Sequence, residues 1–148
     1  MAAEVKQAYD SVKNNILNSA EKMPEADYSF MPSPGIRSFA EVLDHVAQAQ
    51  MHTCAAVLGE QKSSDAAGKT SKADIMAALK DAFAECDKAY DSLTDANASE
   101  TVQTGRGQRT KMGALTGNTA HDNEQYGMMT VYMRLKGVLP SSSAGPRR

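Results

Sequence analysis

From Ser38 onward, Phe39, Val42, Leu43, Val46, Gln50, Cys54 and Val57 recur three or four residues apart. On a helix of ~3.6 residues per turn this spacing lines one face, and no strand of period two can use it. Ser38-x-x-Glu41 is a capping box, in which the serine oxygen accepts from the backbone amide of residue 41 and the glutamate reaches back. Gly59 supplies the left-handed stop. One long amphipathic helix needs partners to cover its apolar face, so the remaining segments decide the fold.

Three further segments repeat the pattern. Val5, Val12, Ile16 and Leu17 mark a first helix closed by Pro24. After the polar stretch EQKSSDAAGKT, Ser71-x-x-Asp74 opens a third helix with Ile75, Leu79, Ala82, Phe83, Cys86, Tyr90 and Leu93 on one face. DANASETVQTGRGQRT reads as loop. A fourth helix is predicted from about Lys111 to Lys136, ending at Gly137 before Pro140, although Gly113 and Gly117 weaken its first turns. Four amphipathic segments without strand alternation or internal repeat predict an all-α protein, a helical bundle occupying residues 1–140, with a frayed tail over 141–148. The link between helices two and three is long enough to run the length of the bundle, which permits that pair to be parallel.

A chain of 148 residues, 41% of them hydrophobic, has room for one domain with a real core. Its formal net charge of -2 gives no electrostatic reason for a nucleic acid or an anionic membrane as partner. Charges fall early in MAAEVKQAYD, and no apolar run approaches the ~18 residues of a spanning helix, so a cytoplasmic location is expected. In that setting Cys54 and Cys86 are expected to be reduced, packed thiols.

The candidate chemistry is narrow. The three histidines are His45, His52 and His121, with no nucleophile motif, phosphate loop or Cys-x-x-Cys pair beside them. His45 borders the apolar stripe of helix two, and His52 lies seven residues on, roughly 10 Å along the axis, too far for both to hold one ion. On helix four, His121 and Gln125 are one turn apart, with Asn118, Met128 and Tyr132 near the same face. A polar strip where a bundle normally carries leucine is either a ligand site or a hydrogen-bonded network that sets helix register. Arg106, Arg109 and Lys111 read as a solvated basic loop.

The blocks PGIRSFAEVLDHVAQAQMHTCAAVLGE and GALTGNTAHDNEQYGMMTVYMRLKGVLPSSS, in this order, resemble the DinB-like family of small helical bundles. The resemblance extends over nearly the whole chain. It implies up-down-down-up connectivity, frequent dimers, and a divalent metal such as zinc, nickel or manganese bound by three histidines. It also implies kinship with thiol-dependent transferases and isomerases that use bacillithiol, mycothiol or glutathione. Carried over, His45 matches the helix-two ligand and His121 the first helix-four ligand, while Gln125 stands where the third histidine belongs. An amide oxygen is a poorer donor than imidazole, so any metal at His45, His121 and Gln125 is expected to be weak or absent.

Two functions follow. One is a module that receives a small ligand among His45, His121, Gln125 and Tyr132. The other is a metal-dependent, thiol-dependent transferase or hydrolase-like enzyme with Tyr132 or Asp122 handling protons. A homodimer is expected from the resemblance and from the methionines Met128, Met129 and Met133, which suit both cores and interfaces.

Overall fold

The computed structural model describes residues 1–143, and the rest of the expected tail, 144–148, lies outside the described residues. Its helices are α1 (Ala2–Lys22), α2 (Phe39–Val57), α3 (Lys72–Ser92) and α4 (Lys111–Leu135). Local chemistry sets their starts. The Ser38 amide donates to Glu41 at 2.6 Å while the Glu41 amide donates to Ser38 Oγ at 3.2 Å, and Ser71 Oγ accepts from the Asp74 amide at 3.1 Å. Thr110 Oγ1 accepts from the Gly113 amide at 3.0 Å, which fixes the start of α4 despite its glycines. Gly137, at a φ of 74°, ends that helix as expected.

Apolar faces then assemble the bundle. α1 and α2 each pack on both α3 and α4. Lys6 with Asp91 (2.8 Å) and Lys13 with Asp87 (2.7 Å) show α1 antiparallel to α3. Tyr28 gathers one end of the molecule: its hydroxyl donates to the Ala20 carbonyl at 2.9 Å, its carbonyl accepts from the Ala40 amide at 2.8 Å, and Lys72 lies 6.0 Å above its ring. Lys136, 2.8 Å from Asp27, brings the end of α4 to the same place. Tyr9, Ile16, Leu43, Ile75, Leu79, Phe83, Leu115 and Met129 are fully buried between the helices.

The structure corrects two expectations. The stretch read as loop contains a two-stranded antiparallel hairpin, β1 (Thr101–Thr104) and β2 (Gly107–Thr110), packed on α2 and α4. It escaped the sequence because Val102 is its single aliphatic residue. Cys54 and Cys86 form a disulfide between α2 and α3 rather than remaining thiols. The inward faces of these packed helices hold the two Cα atoms 4.9 Å apart, within bridging range.

The expected tail begins as ordered backbone. Ser141–Ser143 form a 3-10 turn, with the Ser141 amide 3.1 Å from Ser19 Oγ and the Tyr126 hydroxyl 2.8 Å from Ser142 Oγ. Arg134 donates to Ser143 Oγ at 2.8 Å and to the Thr130 carbonyl at 3.2 Å; no ion pair involves it among the described residues. Among the described residues no helix is long and apolar enough to cross a membrane.

Candidate functional site

α2 and α4 place His45 and His121 face to face, Nε2 to Nε2 at 3.0 Å, with the rings edge-on. One imidazole donates and the other accepts, so at least one of the two Nε2 atoms is unprotonated in this arrangement. Burial holds the His45 imidazole below its usual range, and the charges of Arg37, His121 and Arg106 push it further down.

Beside this pair, α4 turns a polar strip inward. Asn118, Asp122 and Gln125 follow one another at intervals of four and three residues, and all three are buried. Gln50 on α2 meets them: its Nε2 donates to Asp122 Oδ2, and its Oε1 accepts from Asn118 Nδ2 at 2.9 Å. The Asn118 amide also donates to the Tyr90 hydroxyl at 3.2 Å, which donates to the Leu115 carbonyl at 2.8 Å. Burial pushes the Asp122 carboxyl up, and His121 and Gln50 pull it back.

The strip is not fully satisfied. His121 Nδ1, Asp122 Oδ1 and Gln125 Oε1 are buried without a hydrogen-bond partner, and the first two stand 3.7 Å apart. Histidines that bind metal usually hand their second nitrogen to a carboxylate, and Asp122 is the right type of residue for that task. Two nitrogens 3.0 Å apart also match the ~2.9–3.4 Å that ligands at ~2.0–2.1 Å span at one ion. The third donor is the weakness. Among the described residues no group of three or more His, Cys, Asp and Glu side chains is placed to hold a metal. Two imidazoles and an amide therefore do not fit the three-histidine site.

A cavity of about 430 Å³ opens over the histidine pair. α2 contributes His45, Gln48, Ala49, His52 and Thr53; α4 contributes Gly113, Ala114, Gly117, Asn118 and His121; the hairpin contributes Thr104, Gly105, Arg106 and Arg109. Of the expected ligand pocket, His45 and His121 line this space, while Gln125 and Tyr132 do not. Tyr132 instead donates to the Arg37 carbonyl at 2.8 Å and packs among Phe30 and Phe39. Asp122, at 0% exposure, is likewise interior. Sequence reasoning missed the hairpin wall, because the arginines carry no local signal that α2 and α4 lie opposite them. Gln50 was legible only as the one polar member of an apolar stripe.

Paired imidazoles bridging the second and fourth helices beneath a hairpin-walled cavity define a helical-bundle protein with a small-molecule-sized site. The chain belongs to the DinB superfamily, whose sequence profile matches residues 8–129. It is similar in structure to a DinB-like protein from Bacillus cereus ATCC 10987, with a TM-score of 0.79 and 16% identity over 97% of this chain and 95% of that one. A DinB-like protein from Bacillus subtilis gives 0.73 at 17% identity, over 95% and 97% of the two chains. A conserved protein from Enterococcus faecalis gives 0.72 at 14%, over 91% and 96%. These likenesses establish the shared fold. No curated protein matches the chain.

Proposed function

We infer that this DinB superfamily member is a small-molecule binding module whose ligand occupies the cavity over His45 and His121. The carrying observation is that cavity, bounded by two helices and a hairpin and floored by a pair of imidazoles. Its volume lies in the range of small-molecule sites, and its wall mixes polar side chains from both helices and the hairpin with the small residues Ala49, Ala114 and Gly117. A ligand that displaces the Nε2–Nε2 hydrogen bond meets a donor on one ring and an acceptor on the other. In this reading the buried strip of Gln50, Asn118 and Asp122 holds the helices in register beneath the site. Divalent metal, zinc, nickel or manganese, binds weakly at most, because Gln125 replaces an imidazole.

The second reading, a metal-dependent, thiol-dependent transferase or hydrolase-like enzyme, is favoured by the imidazole pair at the cavity, in which at least one Nε2 is unprotonated and able to accept a proton.

Gly117 gives a direct test. It lines the cavity, and a Cβ built there meets no other atom within 4 Å, so Gly117→Leu fills the space without a clash at its base. Thermal shift with a metabolite panel is expected to find compounds that stabilise the wild type and leave Gly117→Leu unmoved. A panel in which no compound separates the two proteins defeats the binding reading. Stoichiometric metal in the purified protein, found by elemental analysis, moves the conclusion to the enzyme.

A further inference from the structure

The hairpin's sequence is Thr-Val-Gln-Thr-Gly-Arg-Gly-Gln-Arg-Thr, and its fold aims two arginines at the cavity wall. The register pairs Thr104 with Gly107, which leaves Gly105 and Arg106 as the turn. Gly107 takes a φ of 95°, Thr104 Oγ1 donates to the Gly107 carbonyl at 2.8 Å, and the Arg106 amide donates to Thr104 Oγ1 at 3.2 Å. The turn that carries Arg106 is therefore braced from both sides. Arg109 stands opposite Val102 on the second strand.

Charge distinguishes this cavity from the rest of the molecule. The chain is net negative, yet no aspartate or glutamate is among the residues that line the cavity, which carry two arginines and three histidines. The neighbouring depression on the other side of His45 mixes signs, with Arg37 beside Glu41 and Asp44. Lys6, Lys13, Lys62, Lys88, Lys111 and Lys136 each lie within 4.0 Å of a carboxylate. Among the described residues neither the Arg106 nor the Arg109 guanidinium has a hydrogen-bond or ion-pair partner. Arg106 is also among the charges that hold His45 down, so its field reaches the imidazole floor.

We propose that the cavity takes a small molecule bearing an anionic oxo group, a carboxylate or a phosphate, gripped by Arg106 and Arg109, with the remainder of the molecule directed toward His45 and His121. The inference rests on the cavity being a ligand site and adds the chemical class of its ligand. A guanidinium's planar fork matches the paired oxygens of carboxylate and phosphate, and charge-assisted bonds of this type are about twice as strong as neutral ones. Their placement on a short hairpin, Arg106 in the turn and Arg109 on β2, makes the two arginines specificity determinants that are separable from the bundle's packing.

The test uses titration calorimetry at constant ionic strength with three probes: succinate, inorganic phosphate and neutral succinamide. The proteins are wild type, Arg106→Gln, Arg109→Gln and Gly117→Leu, each checked by thermal melting. Succinate or phosphate is expected to bind the wild type, with the tighter of the two naming the group. Each arginine variant should weaken that anion about tenfold while melting like the wild type. Succinamide should bind at least about tenfold more weakly than succinate, and Gly117→Leu should abolish binding. Anion binding that ignores both arginines, or succinamide as tight as succinate, overturns the inference. So does the absence of binding by either anion. If Gly117→Leu still blocks a neutral compound in those cases, the cavity reading survives without it; anion binding undiminished in Gly117→Leu overturns both.

Discussion

Gln125 is buried on α4, one turn beyond His121, with its side-chain oxygen unpartnered. An imidazole there joins the two already 3.0 Å apart across the helices, so Gln125→His is expected to gain zinc or nickel affinity by more than the ~10–100-fold typical of changes around metal ligands. Calorimetric titration of the variant measures the gain. His121→Ala in that background should remove it and His52→Ala should not. An absent gain means the histidine at 125 does not reach the pair. The sequence made His45 and His121 legible because each sits in a recognisable helix, and the structure brings them into contact. The arginines and Gln50 were illegible for a different reason: their importance depends on which elements lie opposite them.

Element starts were readable where a side chain captures a backbone amide. Ser38 performs that role with Glu41 in return, and Ser38→Ala is expected to lower stability by about 1 kcal/mol in a urea titration. The hairpin was not readable, since a ribbon of threonine, glutamine, glycine and arginine has no apolar alternation to detect. On α3, Glu85 is 4% exposed and receives Lys62 at 2.7 Å and Lys88 at 2.9 Å. These bonds, Lys62 first, hold its carboxyl below the ordinary 4.5. A carboxyl depressed in the folded state stabilises above its unfolded value and loses that contribution as pH falls through the folded value. Glu85→Gln is therefore expected to cost about 1 kcal/mol at neutral pH and nothing once both forms are protonated, which flattens the acid limb of a stability curve. Parallel curves for the two proteins from pH 7 down through that limb would show the ion pairs contribute nothing.

At the scale of the molecule, the bundle consumes most of its apolar surface but leaves Val131, Leu135 and Leu139 at 54%, 61% and 65% exposure. Val131 and Leu135 lie one turn apart on the outer face of α4, while Met129 and Met133 are buried in the core. A second copy of the chain covering that face is the expected outcome, giving a homodimer of twice 15.8 kDa in sedimentation. Monomer alone at micromolar concentration would defeat it, and Leu135→Glu should produce monomer from a dimer. The likeness to three solved structures at 14–17% identity shows how much sequence change this arrangement of helices tolerates.

The hairpin wall has a kinetic consequence. Two strands of four residues each do not hold together alone in water, so this ribbon persists by leaning on α2 and α4. On that ground it is expected at the low end of the protein's local-stability spectrum, able to peel away while the four helices stay intact. Its inter-strand amides should exchange with deuterium orders of magnitude faster than those of the α2 and α4 interiors, and a ligand bound at the wall should slow them selectively. Protection of the ribbon equal to that of the helices would instead make the wall as permanent as the core. In the proposed binding reading, a breathing wall would set how quickly a guest arrives and departs, and would leave the bundle's own unfolding rate untouched.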